Sequence, residues 1–129
     1  MSKRRPLVAI VDDDPRLLES LEDLLESAGY AAYSCSSAGS LLISGLSGVD
    51  LLITDIGMPG MDGFELRDWV KKMRPELPVF LITGRHEIAD QDRARGISGF
   101  FRKPFDAEVL LAAVDNALSN RNMEDDHES

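Results

Sequence analysis

Short apolar runs that alternate with amphipathic stretches constrain the fold of this chain more than any other feature. Residues 7–11, 50–54 and 79–83 are short, strongly apolar runs, typical of parallel strands that are covered on both faces. Residues 31–35 form a weaker candidate strand, whose low apolar content indicates the edge of a sheet, and residues 99–102 form the last one. The sequence therefore predicts five strands.

A helical pattern follows each strand. Asp14 and Pro15 begin the first helix with an N-cap and a first-turn proline, leucines recur at helical spacing after them, and Gly29 ends it. Further helices are predicted over 38–46, 63–73, 87–95 and 106–118, with Asp62 and Asp106 as caps. Five strands alternating with five helices predict an α/β domain with a doubly wound parallel sheet. The strand order 2-1-3-4-5 places the weak second strand at an edge.

Composition limits the domain organisation and the partners. Residues 1–120 are predicted to form one domain, and the acidic residues 121–129 a disordered tail. The chain has 14 basic and 23 acidic residues, a net charge of −9, which argues against direct binding to nucleic acid or to anionic membranes. Cys35 is the only cysteine, so an internal disulfide is excluded, and no run approaches transmembrane length. These features predict a soluble cytoplasmic protein.

Polar residues stand where the predicted strands end. Asp12 and Asp13 follow the first strand, Asp55 follows the third, Thr83 ends the fourth and Lys103 follows the fifth. In an open parallel sheet, ligands bind outside the carboxyl ends of the strands, near the point where the strand order reverses. Three carboxylates, a hydroxyl and an ammonium group are therefore expected at one rim of the sheet.

Such a cluster needs positive charge. Two carboxylates about 4 Å apart repel each other by roughly 4 kcal/mol at an effective dielectric constant of 20. A divalent cation such as Mg²⁺, which prefers oxygen ligands and often binds carboxylates together with a phosphate, would relieve this repulsion. Lys103 supplies a fixed positive charge and Thr83 a hydroxyl donor. The set suits a site for a phosphoryl group, with one carboxylate as the nucleophile.

Four motifs follow one another along the chain: Val-Asp-Asp-Asp at residues 11–14, the loop at residues 54–63, Ile-Thr-Gly at residues 82–84 and Lys-Pro-Phe at residues 103–105. In this order they resemble the motifs of the response-regulator receiver domains of two-component signalling. The loop matches the family pattern at Asp55, Met58, Pro59 and Gly63. The resemblance covers residues 7–118 and implies a flavodoxin-like receiver fold, a signalling function and no independent enzymatic turnover beyond the domain's own phosphotransfer and slow autodephosphorylation.

The resemblance also implies the roles of the acidic residues. Asp55 would accept a phosphoryl group from the phosphohistidine of a sensor histidine kinase or a phosphotransfer protein. Asp12, Asp13, Asp55 and the backbone carbonyl of Gly57 would hold Mg²⁺.

Further roles implied by the resemblance concern the response to phosphorylation. Thr83 and Lys103 would contact the phosphoryl oxygens, and Thr83 and Phe100 would act as the switch. The output surface would comprise the helix predicted over 87–95, the fifth strand and the last helix, and would support a phosphorylation-dependent homodimer. Ile-Thr-Gly and Phe-x-x-Lys-Pro-Phe resemble the subfamily that controls transcription through an attached helix-turn-helix domain.

Three features depart from the family pattern. Gly57 is smaller than the usual residue at its position, which predicts a looser loop or easier access of water to the phosphate. Arg85 is large and cationic two positions after Thr83. The stretch between Thr83 and Lys103 is about two residues shorter than the family pattern.

Alternative interpretations remain at this point. An aspartyl phosphatase or phosphotransferase would usually carry a second acid two positions after its nucleophile, where this chain has Gly57. An unphosphorylated interaction domain would be expected to lack part of the acidic cluster, the threonine or the lysine, and none is missing. Phe100 is equally compatible with ordinary packing.

Overall fold

The secondary structure follows the predicted alternation of strands and helices. The computed structural model describes residues 5–84 and 99–128, with side chains to Ser119. The helix predicted over 87–95 lies outside the described residues. Those residues form five strands and four helices: β1 Leu7–Val11, α1 Pro15–Ser27, β2 Ala31–Cys35, α2 Ala38–Ser44, β3 Leu51–Asp55, α3 Gly63–Met73, β4 Val79–Thr83, β5 Phe100–Arg102 and α4 Ala107–Glu128.

The five strands form one parallel sheet in the order β2-β1-β3-β4-β5, which confirms the predicted topology. Val8 pairs with Leu51 across β1 and β3, and Ile53 pairs with Phe80 across β3 and β4. Every residue of the two central strands β3 and β4 is buried, whereas β2 is mostly half-buried at its edge. The carboxyl ends of β1, β3, β4 and β5 consequently lie side by side.

Two apolar clusters cover the two faces of the sheet. Side chains alternate along β1, so that Val8 and Ile10 face one cluster while Ala9 and Val11 face the other. The first cluster also contains leucines of α1 and the buried residues of α4, and the second contains residues of α2 and α3. Full burial of a leucine or valine contributes about 1.5–3 kcal/mol, so this two-sided core holds the strand ends in place.

Helix caps determine where the chain turns after each strand. Asp14 accepts a hydrogen bond from the Arg16 backbone N–H at 3.0 Å and precedes Pro15, as predicted. Asp62 and Glu65 form a reciprocal capping box at the start of α3. Asp106 accepts from the Glu108 N–H at 2.8 Å. These caps begin the helices directly beyond the rim.

Some predicted boundaries differ from the structure. Strand β3 ends on Asp55, as predicted, but it begins at Leu51, so Asp50 lies outside it and accepts a hydrogen bond from the Leu7 N–H at 2.8 Å. Helix α2 ends at Ser44 because the chain turns at Gly45, whose φ of 89° lies in the region that glycine adopts readily.

The last helix also differs from the prediction. Its backbone is helical over residues 121–128, where the acidic composition predicted a disordered tail over 121–129. No glycine or proline occurs between Ala107 and Glu128, so no residue type that breaks a helix ends α4 earlier. None of the described helices has both the length and the apolar character that crossing a membrane requires.

Candidate functional site

Asp12 lies at the carboxyl end of β1 and is fully buried. Its backbone N–H donates to the Cys35 carbonyl at 3.1 Å, which continues the β1–β2 pairing by one step. Its Oδ1 accepts a hydrogen bond from the Asp14 backbone N–H at 2.8 Å. The turn that Pro15 begins therefore orients the Asp12 carboxylate and leaves its second oxygen, Oδ2, for the rim.

Asp55 is the last residue of β3 and is 6% exposed. The Thr54 hydroxyl donates to the Asp55 carbonyl oxygen at 3.0 Å, and the next residue, Ile56, donates from its N–H to the Ile82 carbonyl at 2.9 Å. The backbone on both sides of Asp55 is thus held by neighbouring groups. Its carboxylate is presented from a rigid strand end instead of a free loop.

The loop after Asp55 returns closely against the strand end. The N–H groups of Met58 and Gly63 both donate to the Ile56 carbonyl at 3.0 Å. A Cβ added to Gly63 would lie 2.8 Å from the Ile56 Cα, closer than real Cβ atoms approach other heavy atoms. Glycine is therefore required at position 63 for α3 to start beside Asp55.

Lys103 connects the fifth strand to the two buried carboxylates. Its backbone N–H donates to the Thr83 carbonyl at 2.7 Å, which places the two residues on adjacent strand ends. Its Nζ lies 3.2 Å from Asp12 Oδ2 and 3.5 Å from Asp55 Oδ1. The Lys103–Pro104 peptide bond is cis. One ammonium group therefore bridges two carboxylates from different strands.

Asp13 completes a group of three carboxylates. One oxygen from each of Asp12, Asp13 and Asp55 lies within 4.8 Å of the others, and Asp13 is exposed whereas the other two are buried. Three hard oxygen donors, open to solvent on one side, fit a Mg²⁺ ion that keeps some of its water ligands. The donor set is therefore suitable for the predicted ion.

Electrostatics at the rim follow from burial and proximity. Burial raises the pKa of Asp12, and the nearby Asp55 charge adds to the increase, while the Asp14 N–H and Lys103 oppose it. Burial by itself would lower the pKa of Lys103, but the charges of Asp55 and Asp12 outweigh burial and raise it. The site therefore keeps Lys103 charged and makes the ionised form of Asp12 less favourable than that of an aspartate in water.

We expect an Asp12→Asn variant to be more stable than the unchanged protein in the absence of divalent cations. Asparagine keeps an oxygen that can accept from the Asp14 N–H but removes a buried charge. The expected increase in the free energy of unfolding is about 1 kcal/mol at neutral pH, measured by urea denaturation in EDTA. Because the pKa of Asp12 is raised on folding, the difference should shrink as the pH falls through that pKa and the carboxyl becomes neutral. A less stable variant at neutral pH would contradict this account.

The remaining predicted residues lie in different surroundings. Thr83 is fully buried at the end of β4, Gly57 is exposed in the loop, and Phe100 is half-buried on β5 against the cluster that contains α2 and α3. Short distances between side-chain atoms join Asp12, Asp13, Asp55 and Lys103 into one group, and Thr83 is connected to it through the backbone of Lys103. Arg85 lies outside the described residues.

Two groups that hold Asp12 and Asp55 in position were not predicted from the sequence. The backbone N–H of Asp14 orients Asp12 in an Asx turn, a local contact that aspartate favours. The Thr54 hydroxyl holds the Asp55 backbone. This role could have been suspected from the sequence, because Thr54 is the one hydroxyl-bearing residue among the four residues directly before Asp55, and the other three are apolar.

Comparisons with known proteins agree with this geometry. Residues 8–115 match the family model described as the response regulator receiver domain. The chain is 37% identical over 121 residues to the transcriptional regulatory protein GlrR of Escherichia coli K12. The aligned residues cover 92% of this chain but only 27% of GlrR. The chain therefore spans about a quarter of that relative's length.

Solved structures show the same architecture. A CheY-like response regulator receiver domain protein from Methanospirillum hungatei JF-1 superimposes with a TM-score of 0.85 at 27% identity, covering 94% of this chain and 99% of that one. The beryllofluoride-activated NtrC4 receiver domain dimer superimposes with a TM-score of 0.80 at 26% identity, covering 88% and 97%. With a matching family model over most of its length, the chain belongs to the response-regulator receiver-domain family.

Proposed function

We propose that this domain accepts a phosphoryl group on Asp55 from the phosphohistidine of a sensor histidine kinase or a phosphotransfer protein. Mg²⁺ would be held by Asp12, Asp13, Asp55 and the backbone carbonyl of Gly57. Lys103 and Thr83 would contact the phosphoryl oxygens. The domain is a signalling module in this proposal, and its slow loss of the phosphoryl group resets it.

One observation carries the proposal: the convergence of three carboxylates and one ammonium group at the ends of β1, β3 and β5. Lys103 Nζ lies within 3.5 Å of both Asp12 and Asp55, and all three carboxylates lie within 4.8 Å of one another. A structural ion pair would need one carboxylate for one lysine. The surplus of negative charge at a solvent-accessible rim is better explained by a bound cation and a transferred anion.

The chain's residues suit an in-line displacement at phosphorus. An Asp55 carboxylate oxygen attacks the phosphorus atom of the donor, and the bond between phosphorus and the imidazole nitrogen breaks with its electron pair going to that nitrogen. Lys103 would hold its positive charge beside the forming acyl phosphate, and Thr83 would supply a hydroxyl from the neighbouring strand end. When bound, Mg²⁺ would offset the negative charge that collects on the phosphoryl oxygens.

Hydrolysis returns the domain to its starting state. A water oxygen attacks phosphorus, the acyl phosphate bond breaks, and the Asp55 carboxylate and inorganic phosphate are released. Gly57 is exposed and has no side chain to act as an acid or base, so this step is expected to be slow compared with that of a phosphatase.

A direct test uses a small phosphodonor, with acetyl phosphate as the probe, in the presence of Mg²⁺. Intact mass measurement is expected to show one added phosphoryl group that decays slowly and that does not form in EDTA. No adduct under conditions that phosphorylate another receiver domain would refute the proposal. Rapid multiple turnover of phosphoesters would instead favour an enzyme.

We predict that Mg²⁺ affinity depends on Asp13 and hardly at all on Asp14. Asp13 belongs to the group of three carboxylates, whereas the Asp14 side chain accepts from the Arg16 N–H and caps α1. Calorimetric titration with Mg²⁺ should give a dissociation constant at least about tenfold larger for Asp13→Asn than for the unchanged protein. The constant for Asp14→Asn should change little. Equal losses in the two variants would contradict this division of roles.

The output surface is proposed to include β5 and the residues between Thr83 and Lys103. The Lys103 N–H bonds to the Thr83 carbonyl, so movement of either residue toward a phosphoryl oxygen is transmitted to the other strand. β5 has only three residues, two half-buried and one exposed, so a change in its position costs little free energy. A shift in a two-state equilibrium there could expose a surface for a homodimer or an effector.

Amide hydrogen exchange tests this switch. Beryllofluoride bound at Asp55 is expected to change exchange rates by about tenfold or more within residues 84–103, with small changes in α2. If residues 84–103 are unaffected while the fluoride complex is demonstrably bound, the switch lies elsewhere. The relation to GlrR further suggests that the output is transcriptional control by a domain beyond this one.

A further inference from the structure

A groove between α2 and α3 lies apart from the phosphoacceptor rim. It has a volume of about 290 Å³, and its apolar lining includes Leu42, Leu46, Trp69 and Met73. These residues come from the C-terminal parts of both helices, or just after α2. The rim, by contrast, lies beside the N-terminus of α3, where the Gly63 N–H bonds to the Ile56 carbonyl. The groove is therefore not part of the site described above.

The two helices that form this groove each carry an exposed apolar side chain. Among the described side chains, three large hydrophobic ones are strongly exposed, and two of them, Ile43 at 90% and Met73 at 61%, are on these two helices. Trp69, the only tryptophan of the chain, is half-buried against the core and lines the groove with its remaining surface. Exposed apolar residues clustered beside a groove are typical of an interaction surface.

Two oppositely charged side chains of α3, Glu65 and Lys72, flank Trp69 along the helix. Glu65 and Lys72 are seven residues apart, two helical turns, so they lie on the same face with Trp69 between them. Both are exposed. Glu65 accepts from the Asp62 N–H in the capping box, and in the described part of the chain no salt bridge joins Lys72 to a carboxylate. One end of this face is therefore acidic and the other basic.

This arrangement is complementary to itself. If a second α3 lies antiparallel across a two-fold axis that passes between Asp68 and Trp69, Glu65 of each copy falls opposite Lys72 of the other. The same packing brings the two Trp69 side chains near the axis and the exposed Met73 side chains against the facing helix. In a closed two-fold dimer the same patch of both subunits forms the interface, and each residue pair occurs twice. The patch must therefore be complementary to itself.

We propose that the outer face of α2 and α3 is an interface with a second copy of this chain. The apolar groove supplies the contact area, and two Glu65–Lys72 pairs determine the antiparallel register. Exposed ion pairs contribute little to affinity and are screened by salt, so association should be weak and weaken further as ionic strength rises. The surface is separate from the proposed output surface, and this dimer forms without phosphorylation.

A matched pair of substitutions tests the location of the interface. Met73→Glu and Val109→Glu both place a charge at an exposed apolar position, but Val109, 56% exposed, lies on α4. Sedimentation equilibrium of the unphosphorylated chain is expected to show at least about tenfold weaker dimerisation for Met73→Glu and no change for Val109→Glu. Trp69 fluorescence should shift to shorter wavelength as the unchanged protein is concentrated. A monomer at all concentrations, or a dimer that only Val109→Glu weakens, would overturn the proposal.

A charge exchange tests the register. Lys72→Glu alone and Glu65→Lys alone place like charges opposite each other in both pairs, so each variant should dimerise about tenfold more weakly. Mixing the two variants restores both attractive pairs, so a heterodimer should form with the affinity of the unchanged protein. Because each variant's folding is checked by circular dichroism before mixing, failure of the mixture to associate would overturn the assigned pairing. Uptake of phosphoryl by Asp55 is measured separately and does not enter these results.

Discussion

An Asp55→Asn variant is expected to take up no phosphoryl group from a small phosphodonor under conditions that label the unchanged protein. Asparagine has nearly the same shape as aspartate, so the buried strand end should keep its structure. It lacks the carboxylate that forms the acyl phosphate, and Asp12, although buried in the same group, has one oxygen held by the Asp14 N–H and the other beside Lys103. Asp55 should therefore be the sole phosphoacceptor.

Intact mass and peptide mapping provide the measurement. Asp68→Asn is a suitable control, because Asp68 is exposed on α3 and its side chain pairs only weakly with Arg67 at 3.8 Å. It should label at the rate of the unchanged protein. Substantial labelling of Asp55→Asn, or a labelled peptide that does not contain Asp55, would show that another residue accepts the phosphoryl group.

A Gly63→Ala variant is expected to lose about 2 kcal/mol of folding free energy. The added Cβ would lie 2.8 Å from the Ile56 Cα, and backbone atoms cannot move aside as the end of a flexible side chain can. Either the loop after Asp55 or the start of α3 must shift. Because the shift is next to Asp55, phosphoryl uptake should also slow, by about tenfold.

Gly39→Ala is the matched control for this substitution. Gly39 is exposed within α2, and the nearest atom to its added Cβ would be the Ser37 Oγ at 3.8 Å, an ordinary contact. Alanine there should stabilise the domain by about 0.5–1 kcal/mol, because glycine is the poorer helix former. Urea denaturation followed by Trp69 fluorescence measures both effects. Equal stability of the two variants would mean that the close approach at Gly63 costs nothing.

Much of the fold could be predicted from local patterns. Two-residue periodicity is absent from the central runs because both faces of a parallel sheet are covered, and that absence identified β1, β3 and β4 as interior strands. The caps at Asp14, Asp62 and Asp106 were visible because side-chain oxygen acceptors directly preceded helical runs. The end of α4 was not visible, since acidic composition predicts disorder but contains no residue that terminates a helix.

The candidate site, like the fold, was predicted only in part from the sequence. Residue types at strand ends, together with the rule that parallel strands end at one rim, were sufficient to bring Asp12, Asp55 and Lys103 into one group. Their distances were not, because Lys103 is 91 residues from Asp12 along the chain and its Nζ position depends on how β5 pairs with β4. The difference between Asp12 and Asp13 likewise depends on the turn at Pro15, which buries one carboxylate and exposes its neighbour.

The sequence by itself determined the alternation of elements, the strand order and the identity of the charged residues at the rim, because periodicity, caps and handedness are local or nearly local properties. Only the tertiary structure decided which carboxylates Lys103 contacts, why residue 63 must be glycine, and that Trp69 and Met73 line an apolar groove. Burial and distance arise when distant segments come together, and no single segment of the chain carries that information.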